Sequence, residues 1–102
     1  MEIIRNLSKQ IEEELHDAEK YAMCALKHRD DHPELAQTYS CLSSEEMHHV
    51  DILHKETVRI IEQYRQMRGE PPTAMKAVYD YLHEQQVERA KEVRLLQAQF
   101  NR

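Results

Sequence analysis

The sequence predicts an all-α fold, and three observations carry that prediction. A single Gly and three Pro interrupt 102 residues, most of the rest being good helix formers such as Glu, Gln, Lys, Leu and Ala. Apolar residues recur in alternating steps of three and four, the period of a helix face and not of a strand. The few breakers gather at two places, so the chain divides into three long segments joined by two short corners.

The first helix is predicted from Ile3 to His28, ended by the polar run Arg29-Asp30-Asp31-His32. Pro33 then suits the first turn of a second helix, because its missing N–H is one a helix start leaves unpaired anyway. That helix is predicted to reach Met67, with Arg65 and Arg68 placed for its C-terminal dipole and Gly69 in the terminating position. Glu70-Pro71-Pro72 makes the second corner, and a third helix is predicted from Thr73 to Phe100. At 1.5 Å per residue the second helix is about 50 Å long and its neighbours about 40 Å, a rod and not a globule. Short corners force antiparallel neighbours, so helices one and two are expected to form a hairpin whose apolar surface the third helix covers in part. Residues 1–102 read as one helical domain, expected to finish its bundle by dimerising or by forming a larger even-numbered homo-oligomer.

Composition narrows the partners. A net charge of -5 with no basic face argues against nucleic acid, whose phosphates need one, and makes cations the natural ligands. A mean hydropathy of -0.85 and no long apolar run argue against a membrane partner. The start MEIIRNLSKQIEEE lacks the basic and apolar regions of a signal peptide, so a cytoplasmic location is expected. Cys24 and Cys41 form no CxxC pair and are expected to be reduced core thiols. The single Gly leaves no loop to cradle a phosphate, and no Ser-His-Asp arrangement or catalytic cysteine setting can be assembled.

The predicted seam carries polar groups. On helix one, Ile4, Leu7, Ile11, Ala18, Tyr21 and Ala25 form a stripe with one vacancy, filled by Glu14. On helix two, Tyr39, Leu42, Leu53 and Ile60 form the matching stripe, and Glu46 and His49 occupy the positions between Leu42 and Leu53. Counted from the turn of an antiparallel hairpin, Glu14 comes level with Glu46 and His49. Burying ionisable groups costs several kcal/mol each unless they are paired or bind a metal. Residues i and i+3 share a helix face, so Glu-x-x-His offers a carboxylate and an imidazole to one cation. Such donors suit iron or manganese, and zinc also accepts them. The chain holds three such pairs, Glu13/His16, Glu45/His48 and Glu46/His49, and only the last lies on the seam. A second register, with Glu45 and His48 beside Ile52, stays open on spacing alone.

These residues resemble the ferritin-like superfamily of di-iron carboxylate proteins, and within it the short half-ferritins related to encapsulated ferritin. The similar patterns are Glu13-Glu14-Leu15 followed by Tyr21, Pro33-Glu34-Leu35 opening helix two, Glu45-Glu46-Met47-His48-His49, and a weaker echo at Tyr79-Asp80-Tyr81-Leu82. They are scattered short matches over about residues 11 to 85. The resemblance implies a ferritin-like bundle completed by dimerisation. It further implies a di-iron site shared between subunits and possessing ferroxidase activity, with Glu14, Glu46 and His49 as ligands and Tyr21 beside them. Iron is the implied metal; no catalytic residue apart from the ligands is implied. Glu45 is placed next to the ligands, and with Glu12 and Glu13, both read as solvated, it would draw cations inward. The third helix is longer than that family's usual tail, and Leu95 to Arg102 does not look like an encapsulin-docking peptide, so no shell partner is expected. The alternative function is a non-catalytic helical oligomer or interaction module whose metal site is lost or unused, with Glu and His pairing to fix register.

The other polar and aromatic residues are read plainly. His16, His28, His32 and His54 are expected at the surface or an interface. Met47, Met67 and Met75 are expected to fill the core. Tyr39, Tyr64, Tyr79 and Tyr81 are expected to pack. Asp80 and His83 repeat the i, i+3 geometry on helix three, with Val78 and Leu82 placing the buried face beside them.

Overall fold

A computed structural model describes residues 1–102. The chain is three helices and no strand, α1 (Glu2–His28), α2 (Pro33–Arg68) and α3 (Thr73–Phe100), each end within one residue of its expected place. Pro33 opens α2 and Gly69 closes it, the Gly69 N–H donating to the Arg65 carbonyl at 2.9 Å. Nothing lies within 4 Å of where a Cβ would stand at Gly69, so its φ of +79° is what selects glycine. No helix is long and apolar enough to cross a membrane.

α1 and α2 form the antiparallel hairpin, and α3 returns alongside α1 and parallel to it. The side-chain contacts fix that direction, because partner numbers rise together. The N-terminal ammonium donates to the Tyr79 hydroxyl (2.7 Å), Gln86 to Ser8 Oγ (2.9 Å), Arg89 to Glu19 (3.1 Å) and Arg29 to the Gln99 carbonyl (3.0 Å). α2 and α3 scarcely approach each other. The molecule is a bundle measuring 55 × 19 × 18 Å with a radius of gyration of 16.4 Å, where a compact domain of this length has about 13 Å. Its accessible surface of 7198 Å² exceeds by about 1,100 Å² what a compact monomer of this mass exposes.

The core corrects the stripes read from periodicity. On α1 the buried residues are Ile4, Ile11, Leu15, Ala18, Ala22 and Ala25; Leu7 and Tyr21 are only half-buried. On α2 they are Ala36, Ser43, Met47 and Val50, while Tyr39, Leu42, Leu53 and Ile60 are half-buried. α3 adds Val93 alone. The cause is the docking of α3, which shifts deepest burial towards the side of the hairpin it covers. The predicted stripes become the flank of the α1–α2 seam that α3 leaves open.

Three other expectations fail for related reasons. Cys41 is exposed, because it lies about 200° round α2 from buried Ser43. Tyr81 is 60% exposed, about 140° round α3 from the α1-facing Gln86. Met67 is 76% exposed, since Ser43 meets Ala18 and α2 therefore runs about nine residues past the start of α1. Met47 does fill the core, and Met75 is half-buried.

Small residues set the close approach of α1 and α2, with Ala18, Ala22, Ala25 and Ala36 all at 2% exposure or less. Ser43, fully buried, donates from Oγ to the Ala18 carbonyl (2.7 Å) and accepts from Gln97 Nε2 (2.9 Å), tying all three helices at one point. Ser43→Val adds bulk there and removes both hydrogen bonds. Urea unfolding is expected to show a loss of about 1–3 kcal/mol with an unchanged denaturant slope.

Candidate metal centre

Helix geometry assembles the site. α1 brings Glu14 to the seam, and α2 brings Glu46 and His49 from one face at i, i+3. One ligand atom from each lies within 4.8 Å of the others. His49 Nδ1 is 3.5 Å from Glu14 Oε2 and 3.8 Å from Glu46 Oε2. Ligand atoms around one ion at about 2.1 Å stand at most about 4.2 Å apart, so small side-chain rotations close the trio around a cation.

The site faces away from α3. Glu14 is about 120–140° round α1 from Ser8 and Glu19, the residues that meet α3. Likewise Glu46 and His49 are about 60° and 120° round α2 from Ser43. Burial is graded across the trio, with side-chain exposures of 18% for Glu46, 30% for Glu14 and 50% for His49. Glu46 Oε2 is buried and accepts no hydrogen bond. A carboxylate oxygen left in that condition is costly, and a cation in the trio would satisfy it. The donor set, two hard oxygens and one borderline nitrogen, fits iron or manganese and is acceptable to zinc. Three protein ligands leave positions for further donors.

The remaining Glu-x-x-His pairs separate from this one. Glu45 and His48 are both exposed and outside the trio, so the second register does not form a three-ligand group. Glu13 and His16 are exposed, with His16 Nδ1 3.4 Å from an Arg89 guanidinium nitrogen. Glu45 stands on the solvent side of α2. Tyr21 is two turns along α1 from Glu14, about 10 Å, and its ring stacks on Tyr39 at 6.1 Å with the Lys20 ammonium 5.3 Å from its centre. Tyr39 in turn stacks on His28 at 6.3 Å.

Periodicity alone found all three trio members. It missed that His54, read as a surface or interface residue, stacks on His83 of α3, because nothing in one helix's pattern reports which residue of a distant helix it meets. No family model, curated protein or solved structure matches this chain.

Proposed function

We propose that two copies of this chain pair through the open flank of the hairpin and hold two iron ions between them, in a ferritin-like di-iron carboxylate site with ferroxidase activity. The observation that carries this reading is the trio itself. Two carboxylates and an imidazole from facing helices lie within 4.8 Å of one another, and one buried carboxylate oxygen lacks a partner. Doubled by a two-fold axis, the trio supplies four carboxylates and two imidazoles, the full complement of such sites.

The size of the open flank supports the pairing. Ile3 and Leu35 are 58% and 41% exposed and stand on the same stripes as Glu14 and Glu46, with half-buried Leu7, Tyr21, Tyr39, Leu42, Leu53 and Ile60. A footprint as long as α1 and one bundle-width across covers about 750 Å² on each partner, near the standard for a stable interface. Iron is the substrate here: two Fe(II) ions each give up one electron, and dioxygen takes both electrons and two protons to leave as hydrogen peroxide. The chain's own part is to bind and orient. Glu14 and Glu46 neutralise the cations with oxygen donors that favour the higher charge of Fe(III). His49 supplies one nitrogen per chain, and the exposed carboxylates of Glu12, Glu13 and Glu45 raise the local cation concentration.

The second reading is a helical oligomer that uses no metal. Its support is the distance of His49 from both carboxylates, 3.5 and 3.8 Å, which lets the trio offset part of its own charge. Metal content per subunit after anaerobic Fe(II) loading, measured with the subunit number by light scattering, separates the two. One iron per chain in an even-numbered oligomer is the expected result. A well-folded oligomer with no bound metal leaves the second reading.

A further inference from the structure

The α2–α3 seam carries a second set of metal-binding side chains that shares no residue with the trio. No ion pair crosses this seam, and cavities of about 300 and 260 Å³ lie along it. Both cavities are lined by His54 of α2 and His83 of α3, whose imidazole rings face each other with centres 5.2 Å apart and planes 19° from parallel. The sequence around each histidine follows one pattern, Asp51-Ile52-Leu53-His54 and Asp80-Tyr81-Leu82-His83. Because α2 and α3 run in opposite directions, the two Asp-x-Leu-His segments are related by a local two-fold axis through the histidine pair. Asp80 accordingly lines one cavity and Asp51 the other.

We infer that this seam is a zinc site, with His54 and His83 as nitrogen ligands and Asp51 and Asp80 as oxygen ligands. The ring separation fits. With zinc–nitrogen bonds of about 2.0–2.1 Å and tetrahedral angles, two imidazoles on one ion have their centres about 5 Å apart. Rotation about the Cβ–Cγ bond, a soft torsion, turns the ring nitrogens inward. Each aspartate stands at i−3 from its histidine and so shares its helix face. Both are exposed and unpaired, free to swing towards an ion from opposite sides. Two nitrogens and two oxygens close a four-coordinate shell, the character of a structural site and not a catalytic one. The ion acts as a staple, joining α3 to α2 where only the Ser43–Gln97 hydrogen bond otherwise bridges them by side chains.

The test is a calorimetric titration with Zn²⁺ alone on the Glu14→Ala/His49→Ala variant, in which the trio is removed. One zinc per chain is expected, with a rise in melting temperature that EDTA reverses. Adding His54→Ala or His83→Ala is expected to weaken binding at least tenfold and abolish the thermal shift, whereas His16→Ala changes neither. Asp51→Asn with Asp80→Asn, which keeps both imidazoles, is expected to weaken binding by a smaller factor. In the chain with its trio intact, His83→Ala alone should lower bound zinc by one per chain; His83 is exposed, so the helices survive its loss. Zinc affinity unchanged by both His54→Ala and His83→Ala overturns the site.

Discussion

Glu46→Leu is expected to abolish iron uptake while raising the melting temperature of the metal-free protein. The two effects have one cause. Glu46 is the most buried of the three ligands, and its Oε2 is enclosed without a hydrogen-bond donor, so the metal-free chain carries an unsatisfied oxygen that leucine would replace with apolar surface between Leu42 and Leu53. Relief of such a group is worth about 1 kcal/mol once its still-solvated second oxygen is discounted, or about 4–8 °C for a domain of this size. The ion pair lost with half-exposed His49 offsets little of this. Metal binding moves the other way: substitutions one step removed from a metal cost 10–100-fold in affinity, and a direct ligand costs at least that, leaving under about a tenth of an iron per chain. Glu14→Ala and His49→Ala are expected to lose iron similarly. Thermal denaturation with and without EDTA, beside metal analysis, checks both halves. If the trio served only to fix register by pairing, Glu46→Leu would lower the melting temperature; a stoichiometric metal retained in any of these variants would sink the ligand assignment.

The parts of this molecule legible in its sequence are those decided by local chemistry. Pro33, Gly69 and the Pro71-Pro72 corner act on their own backbone, so the helix limits follow from them to within a residue. The trio is also local in this sense, because Glu46 and His49 share a face through i, i+3 spacing and Glu14 is brought level by counting from a short turn. What the pattern of one helix does not contain is the direction from which a third arrives. Leu15, Ala22, Ser43, Met47 and Val50 are buried because α3 covers that side of the hairpin. α3 itself buries only Val93, so its own periodicity gives little sign of which face docks. For the same reason Glu14 sits at the edge of the burial and not in its middle, and the His54–His83 contact is invisible until α2 and α3 are placed.

Leu42→Lys is expected to convert the protein to a monomer and to lose iron, although Glu14, Glu46 and His49 all remain. Leu42 stands one turn before Glu46 on the stripe that α3 leaves open, half-exposed in the single chain. A lysine there can lay its alkyl stem along Tyr39 and Leu53 and keep its ammonium in water, so the isolated chain should retain its helices by circular dichroism. In a two-fold pair the same substitution occurs twice at the centre of the interface, and each ammonium would have to be stripped of water beside the other, a penalty of several kcal/mol per ion. That exceeds what an interface of about 1,500 Å² can absorb while remaining tight. Light scattering should therefore fall from twice the chain mass of 12.2 kDa, or a larger even multiple, to a single chain. Iron loss in this variant has a meaning that the ligand substitutions lack, because every ligand of one chain is still present. If iron disappears with the partner, the site is completed by the second copy; a monomer that still holds one iron per chain would place the whole coordination within one hairpin, and the shared-site reading would fail.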